Sequence, residues 1–330
     1  MSHVPVLIKE VIEAIAPVDG AVIADGTYGG GGYASGVLAI ADCKVIAIDR
    51  DPAAMQRAFE HAGKDPRVIP ASGCFSELES IVRASGFDRV DGVMLDLGVS
   101  SFQLDQGERG FSFMREGPLD MRMGAKGPSA ADAVNHLTDA QLSSIFHHLG
   151  EEPSSRRIAK AIVQRRASRK FETTLDLAET VEAAVGGRKG KRTHPATRVF
   201  QALRMFVNDE LGELARGLLA AERVLAKDGR LVVVTFHSLE DRMVKTFLRE
   251  RAGETPGVSR HLPGAPTGPA PSFELLERKA IEPSDREIDV NPRARSARLR
   301  WALRTAAEPW AKADFGLPRL PALDQLEGAA

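Results

Sequence analysis

The stretch after the first strand-like run constrains this chain most. Ala21–Asp25 is short and apolar. It leads into Asp25-Gly26-Thr27-Tyr28-Gly29-Gly30-Gly31-Gly32-Tyr33-Ala34, and a helical run then extends to about Ala41. A strand that turns through glycines into a helix gathers backbone N–H groups and the positive helix end at one place, which suits an anion. Gly29, Gly31 and Ala34 fit the relaxed dinucleotide pattern G-x-G-x-x-G/A. The turn does not choose between a nicotinamide dinucleotide and S-adenosylmethionine, and a glycine-rich turn with no ligand is the third reading.

The alternation continues. Lys44–Asp49 reads as a second strand, with Asp51 as N-cap and Pro52 at the first helical position after it. Arg67–Ala71 and Val90–Asp96 read as strands three and four, so right-handed crossovers and a parallel sheet are expected. From about Gln103 to Met205 the pattern is loops and helices. Ser129 caps one helix, Thr138 with Gln141 forms a capping box for the next, and helices over about Ser154–Ala167 and Thr174–Val185 precede a glycine–cation loop at Gly186–Thr193. A helix over Asn208–Leu225, a strand at Gly229–Phe236 and a helix at Leu239–Arg251 resume the alternation. Gly253–Ser272 carries nine Gly or Pro and reads as a loop; Leu275–Ile281 and Arg298–Arg304 read as late strands. The expected fold is α/β: a doubly wound sheet from residues 1–104 and 206–304, an inserted all-helical domain at 105–205, and a tail at 305–330 with no assigned role. Ligands of such sheets sit at the carboxyl ends of the strands, and an insertion leaving after the fourth would overhang them.

Composition narrows the class. Of 330 residues, 43% are apolar and 27% charged, which excludes disordered, collagen-like and membrane-embedded chains. No apolar run approaches the ~18 residues of a membrane span, and Lys9, Glu10 and Glu13 break any secretory pattern. Two cysteines, Cys43 and Cys74, provide neither a disulfide framework nor a zinc site, so a cytoplasmic protein without metal is expected. Net charge is −1, yet Arg156–Arg204 holds 13 Lys and Arg against 4 Asp and Glu. Such a segment suits a polyanion, with a solvated helical face as the alternative.

Candidate residues cluster at strand ends. Asp49 lies 20 residues after Gly29, placed to accept from both ribose hydroxyls of an adenosine cofactor. Phe75, after the third strand, suits an adenine face or the core. Asp96 closes the apolar fourth strand, where a lone carboxylate is costly unless used; it suits cofactor binding, orientation of a substrate amine, or a cap. Ser238 and Asp241 read as caps of the next helix, and His237 as a candidate substrate contact. Neither cysteine lies where a thiolate attacking a cytosine ring is needed.

Together these runs resemble the bacterial 16S rRNA cytosine-N4-methyltransferase family, the MraW type. The resemblance runs from His3-Val4-Pro5-Val6-Leu7 to Asn291-Pro292-Arg293-Ala294-Arg295-Ser296. It rests on Asp25–Gly32, Ala47–Pro52, Leu95–Ser101, Arg109–Met114, Pro118–Met123, His194–Arg198 and Phe236–Arg242. It implies a Rossmann-like S-adenosylmethionine domain with a helical insertion, acting on the N4 of one cytidine in the decoding region of 16S rRNA within the small subunit. It implies cofactor contacts from Gly31, Gly32, Tyr33, Asp49, Phe75, Asp96 and Gln103. Members commonly carry histidine where this chain has Tyr33, so a side-chain contact there is not implied, whereas a backbone contact is. The loop at 253–272 and the tail depart from the usual pattern.

Asp96 is the first candidate to hold the N4 amine, because the acidic-or-amide Pro-Pro-aromatic run common among amino-methyltransferases is missing. The basic segment, with Arg165, Arg166, Arg169 and Lys170, is expected to track rRNA phosphates. A homodimer is compatible with the pattern. The competing functions are an NAD-type dehydrogenase, which leaves the basic insertion without a role, and a non-enzymatic RNA-binding assembly factor, which leaves the glycine turn, Asp49 and Asp96 without one. A small-molecule or protein methyltransferase does not need the basic face.

Overall fold

A computed structural model describes residues 5–124, 126–188, 193–254, 269–311 and 313–326. In chain order the elements begin α1 (Ile8–Ile15), β1 (Val22–Asp25), α2 (Gly32–Ile40), β2 (Lys44–Asp49), α3 (Pro52–Ala62), β3 (Val68–Ser72), α4 (Leu78–Ala84) and β4 (Val90–Asp96). Helices α5 (Ser101–Asp105), α6 (Ala130–His136), α7 (Asp139–His148), α8 (Ser155–Arg166), α9 (Thr174–Val185) and α10 (Thr197–Val207) follow. The chain continues through α11 (Glu210–Val224), β5 (Leu225–Thr235), α12 (Ser238–Arg251), β6 (Phe273–Glu274), α13 (Asp285–Val290) and β7 (Arg298–Arg304). Two compact units result. The sheet unit takes the described residues up to Gly98 and from Leu211 to Gly316; the helical unit takes Val99–Glu210 and the described residues from Leu317 onward. Among the described residues no helix is long and apolar enough to cross a membrane.

The sheet order is β3-β2-β1-β4-β5-β7-β6. Strands β1 to β5 pair in parallel, and β7 runs antiparallel to both β5 and β6. The order reverses at β1 and β4, the topological switch where an open sheet parts its loops to make a crevice. Strand β2 and the Leu231–Val234 stretch of β5 are near-continuous apolar runs because both faces are covered. Val45, Ala47, Val232 and Val234 join the layer formed by α1, α2 and α3, while their alternates Ile46, Ile48, Leu231 and Val233 are buried on the other face. Each valine, leucine and isoleucine among them contributes about 1.5–3 kcal/mol on burial.

The expected strand at Gly229–Phe236 starts earlier, at Leu225, with a register irregularity between Val90 and Gly92 opposite it. The last strand is β7 as read. Its expected partner at Leu275–Ile281 shrinks to Phe273–Glu274 plus a lone bridge from Ile281 to Leu299. Most of that segment faces solvent, with Leu276 52% exposed, so its apolar spacing had no core to meet. The glycine–cation loop and the Gly/Pro loop fall largely at 189–192 and 255–268, outside the described residues.

A buried ionic cluster ties late elements of the sheet unit together. Glu222 of α11 and Arg251 of α12 are fully buried and meet at 3.0 Å. The Ser272 hydroxyl and the Trp310 N–H donate to the same carboxylate. Arg304 donates to the Glu222 and Ser272 carbonyls. The Arg251 guanidinium lies 4.9 Å from the Phe247 ring centre and 4.6 Å from that of Trp310. The stretch after Thr305 therefore starts as part of this unit.

In the helical unit the caps are local. The Ser129 side chain accepts from Asp132 N, and Thr138 with Gln141 closes a reciprocal box. Asn208 holds a long loop: its amide donates to the Met121 carbonyl at 2.7 Å and accepts from Met123 N at 2.8 Å. From the tail, Leu326 is buried, and Gln325 accepts from the Gln141 amide.

Candidate active site at the strand ends

Three carboxylates end three adjacent strands of the sheet unit: Asp49 on β2, Asp25 on β1 and Asp96 on β4. Asp49 accepts from Gly29 N and Asp51 N, both at 2.8 Å, one on each carboxyl oxygen. Each oxygen keeps a second lone pair, as a diol partner requires. Burial raises the Asp49 pKa despite those two bonds. Asp51 caps α3 as read, accepting from Ala53 N with Pro52 next.

Asp25 is almost fully buried. Burial pushes its pKa up to about 7, against the pull of the Thr27 and Ala34 N–H groups and with repulsion from Asp49 added. Asp96 goes further, to about 8, through burial first and then repulsion from Asp25 and Glu240. Its backbone N–H donates to the Thr27 hydroxyl at 2.6 Å, fixing the end of β4 to the turn after β1. Oδ1 of Asp96 is buried with no hydrogen-bond partner among the described residues. An unpartnered buried oxygen is expensive, and a strand end that retains one is shaped for a donor from outside the chain.

The glycine turn is tight for identifiable reasons. Gly31 has φ 74°, and a Cβ there would lie 2.4 Å from the Tyr28 hydroxyl. A Cβ on Gly32 would lie 2.1 Å from Pro5. Tyr28 is buried beneath the turn with its hydroxyl 2.9 Å from His61 Nδ1, and Arg57 donates to the Gly29 carbonyl. The turn is thus held from below, with the Gly29 N–H given to Asp49 and the Gly31 N–H to the Tyr28 carbonyl at 2.7 Å.

The Tyr33 side chain is committed to the protein interior. Its ring is buried and its hydroxyl donates to the Val6 carbonyl at 2.5 Å, so only its backbone stays with the turn. Phe75 starts a single 3-10 turn, and its ring packs on α11, where a Cβ on Gly217 would lie 2.3 Å from it. Gln103 belongs to the helical unit, where it closes a capping box with Ser100.

The expected cap of α12 is corrected. His237, not Ser238, is the N-cap, its Nδ1 accepting weakly from Glu240 N at 3.5 Å. Its Nε2 lies 3.0 Å from Glu240 Oε1, so both ring nitrogens face one residue. Asp241 instead takes Arg300 at 2.7 Å and Arg298 at 3.2 Å, which hold its pKa below the usual carboxylate range.

Of the four basic residues singled out, Arg165 and Arg166 are half-buried against internal partners, and Arg169, though exposed, also reaches Asp176 at 3.3 Å. Arg165 pairs with Asp176 and lies 4.6 Å from the Phe171 ring centre. Arg166 donates to the Val134 carbonyl at the end of α6, and burial lowers its pKa. Arg169 and Lys170 are exposed, as are Arg156, Arg157 and Lys160 on α8. Asp25, Thr27 and Glu240 were not singled out. Asp25 carries the same signal as Asp96, a carboxylate closing an apolar strand.

The MraW methylase family model matches residues 1–305. A ribosomal RNA small subunit methyltransferase H from Hyphomonas neptunium is 59% identical over 325 residues, covering 98% of this chain and 95% of its own. The protein of the same name from Maricaulis maris is 56% identical over 329 residues, covering 99% and 98%. That from Caulobacter vibrioides is 59% identical over 308 residues, covering 93% and 97%. Among solved structures, an rRNA methylase from Streptococcus thermophilus covers 90% of this chain and 93% of its own at 9% identity and a TM-score of 0.36.

Proposed function

Because this chain belongs to the MraW methylase family, we propose that it methylates the exocyclic N4 of one cytidine in the decoding region of 16S rRNA, with S-adenosylmethionine as donor. The relatives' shared name supports an rRNA of the small subunit as substrate. The site residues fit the donor. Asp49 offers one lone pair on each oxygen to the ribose hydroxyls, and the Gly32 N–H at the start of α2 meets the carboxylate end of the methionine. When bound, the donor supplies an electrophilic methyl on a cationic sulfur.

The observation that carries the chemistry is Asp96. The N4 lone pair is delocalised into the cytosine ring, so an acceptor has to hold the N–H groups and release that pair towards the methyl. The unpartnered Oδ1 is such an acceptor. Burial holds the ligand-free carboxyl at about 8; the cationic sulfur of a bound donor would favour its carboxylate form, which takes up the proton that the methylated nitrogen sheds. Thr27 holds the Asp96 backbone, so the carboxyl is delivered from a fixed strand end. Within the helical unit, the exposed cations Arg156, Arg157, Lys160, Arg169 and Lys170 follow RNA phosphates, and the target base is unstacked to react.

The test is methyl transfer from labelled S-adenosylmethionine to small subunits from cells lacking the endogenous activity, with naked 16S rRNA in parallel. Nucleoside mass spectrometry of the digested RNA is expected to find N4-methylcytidine at one site. Label at another atom, or none despite cofactor binding, removes this assignment.

A further inference from the structure

Residues 107–117 of the helical unit make a closed loop whose ends nearly touch. A Cβ on Gly117 would lie 1.9 Å from the Gly107 carbonyl oxygen. Gly110 has φ 72°, and its Cβ would lie 2.2 Å from the Pro118 oxygen. Buried Thr174 pins the return: its N–H donates to the Gly117 carbonyl at 2.9 Å, and its hydroxyl donates to the Arg115 carbonyl at 3.1 Å. Phe113 anchors the tip from inside, its ring centre 4.7 Å from that of His194 and 4.9 Å from that of Phe200.

The next residue does the opposite. Met114 is 80% exposed, more than any other large apolar side chain among the described residues. Its backbone N–H donates to the Ser112 hydroxyl, which closes the turn that presents it. Single exposed apolar residues are ordinary on surfaces. A methionine standing clear of a loop braced at its base, its return and its tip is not ordinary, because such loops are compact and often functional. Arg115 beside it is exposed, as are the cations of α8 in the same unit.

We propose that Met114 is an unstacking wedge: its thioether enters the base stack of the RNA and occupies the space left by the extruded cytidine. This rests on the rRNA assignment above. Apolar side chains that part base steps are a recurrent device, and a methionine sulfur packs well on aromatic faces. The bracing supplies the stiffness that a wedge needs, and the exposed Arg115 beside it holds a phosphate while the stack opens.

The experiment is single-turnover methylation of undermethylated small subunits by the full chain and by its Met114→Ala and Met114→Leu variants, with the subunit concentration varied. Thermal shift with S-adenosylmethionine accompanies each protein. For Met114→Ala the saturating rate is expected to fall at least tenfold, with half-saturation and thermal shift held within twofold. Met114→Leu, which keeps an apolar wedge, is expected to stay within threefold of the wild type. An unchanged rate in the alanine variant overturns the wedge. So does a loss confined to half-saturation, which marks simple surface contact, or an equal loss in both variants. No N4-methylcytidine from the wild-type chain overturns the functional reading and the wedge together.

Discussion

Asp25 and Asp96 are carboxyl groups that burial keeps protonated where an unfolded aspartate is ionised. Their folded pKa values of about 7 and about 8 lie above the unfolded value of 3.8. The folded state therefore binds more protons between pH 4 and 8, and stability falls as pH rises through that window. The contribution is complete below about pH 4 and lost above about pH 8. Denaturant midpoints of the ligand-free protein at pH 5 and pH 9 are expected to differ less in Asp96→Asn, which stays neutral, than in the wild type. An equal or larger difference in the variant refutes this. On the proposed function the same residue is the N4 acceptor: Asp96→Asn and Asp96→Ala are expected to lower the methylation rate by about 10²-fold or more, and near-normal activity in either removes that role. Residues of this kind were legible where the signal is local. Asp51 next to Pro52 announces a cap, and an aspartate at the end of an apolar strand announces an edge. Tyr33 and Asp241 were not, because Val6 and Arg300, 27 and 59 positions away, decide where their side chains go.

Helix caps and the parallel strands were read closely, since propensity and apolar period act within a few residues. Strand β6 and the start of β5 were not, since pairing partners set their limits. The packing of α11 against α12 was invisible in the sequence, where Glu222 and Arg251 look like surface residues. Truncating Glu222 removes one carboxylate from a guanidinium that is completely buried and leaves it Glu250 at 3.1 Å. Glu222→Ala is expected to cost about 3–5 kcal/mol, read as a lowered urea midpoint. A loss below about 1 kcal/mol would mean that the existing pair with Glu250 suffices to hold the charge.

Across the whole chain, the near-neutral charge hides a basic segment in an acidic remainder, and that imbalance was legible from counting alone. Which cations face a partner was not, because Asp176 and the end of α6 claim Arg165 and Arg166. Neutralising Arg169 and Lys170 together is expected to reduce the slope of log affinity against log salt by about 1.4, at ~0.7 per phosphate contact. Arg165→Gln is expected to lower stability more than it changes that slope. Filter binding of rRNA across salt concentrations measures the slope, and an unchanged value in the double variant marks these side chains as merely solvated.

The order in which the strands are used has a consequence for biosynthesis. Strand β4 pairs with β1 on one side and waits for β5 on the other, and the whole helical insertion lies between them in the chain. A ribosome adding ~5–20 residues per second leaves that edge open for roughly 7–27 seconds. During this interval the helical unit, nearly all of which is one continuous stretch, can complete its core while the outer edge of β4 remains unpaired. Stalled nascent chains ending near residue 240 are therefore expected to show hydrogen-exchange protection in α6–α10 before β1 and β4. An open strand edge is a template for the wrong partner, so shielding on the ribosome is needed most while the insertion is being made.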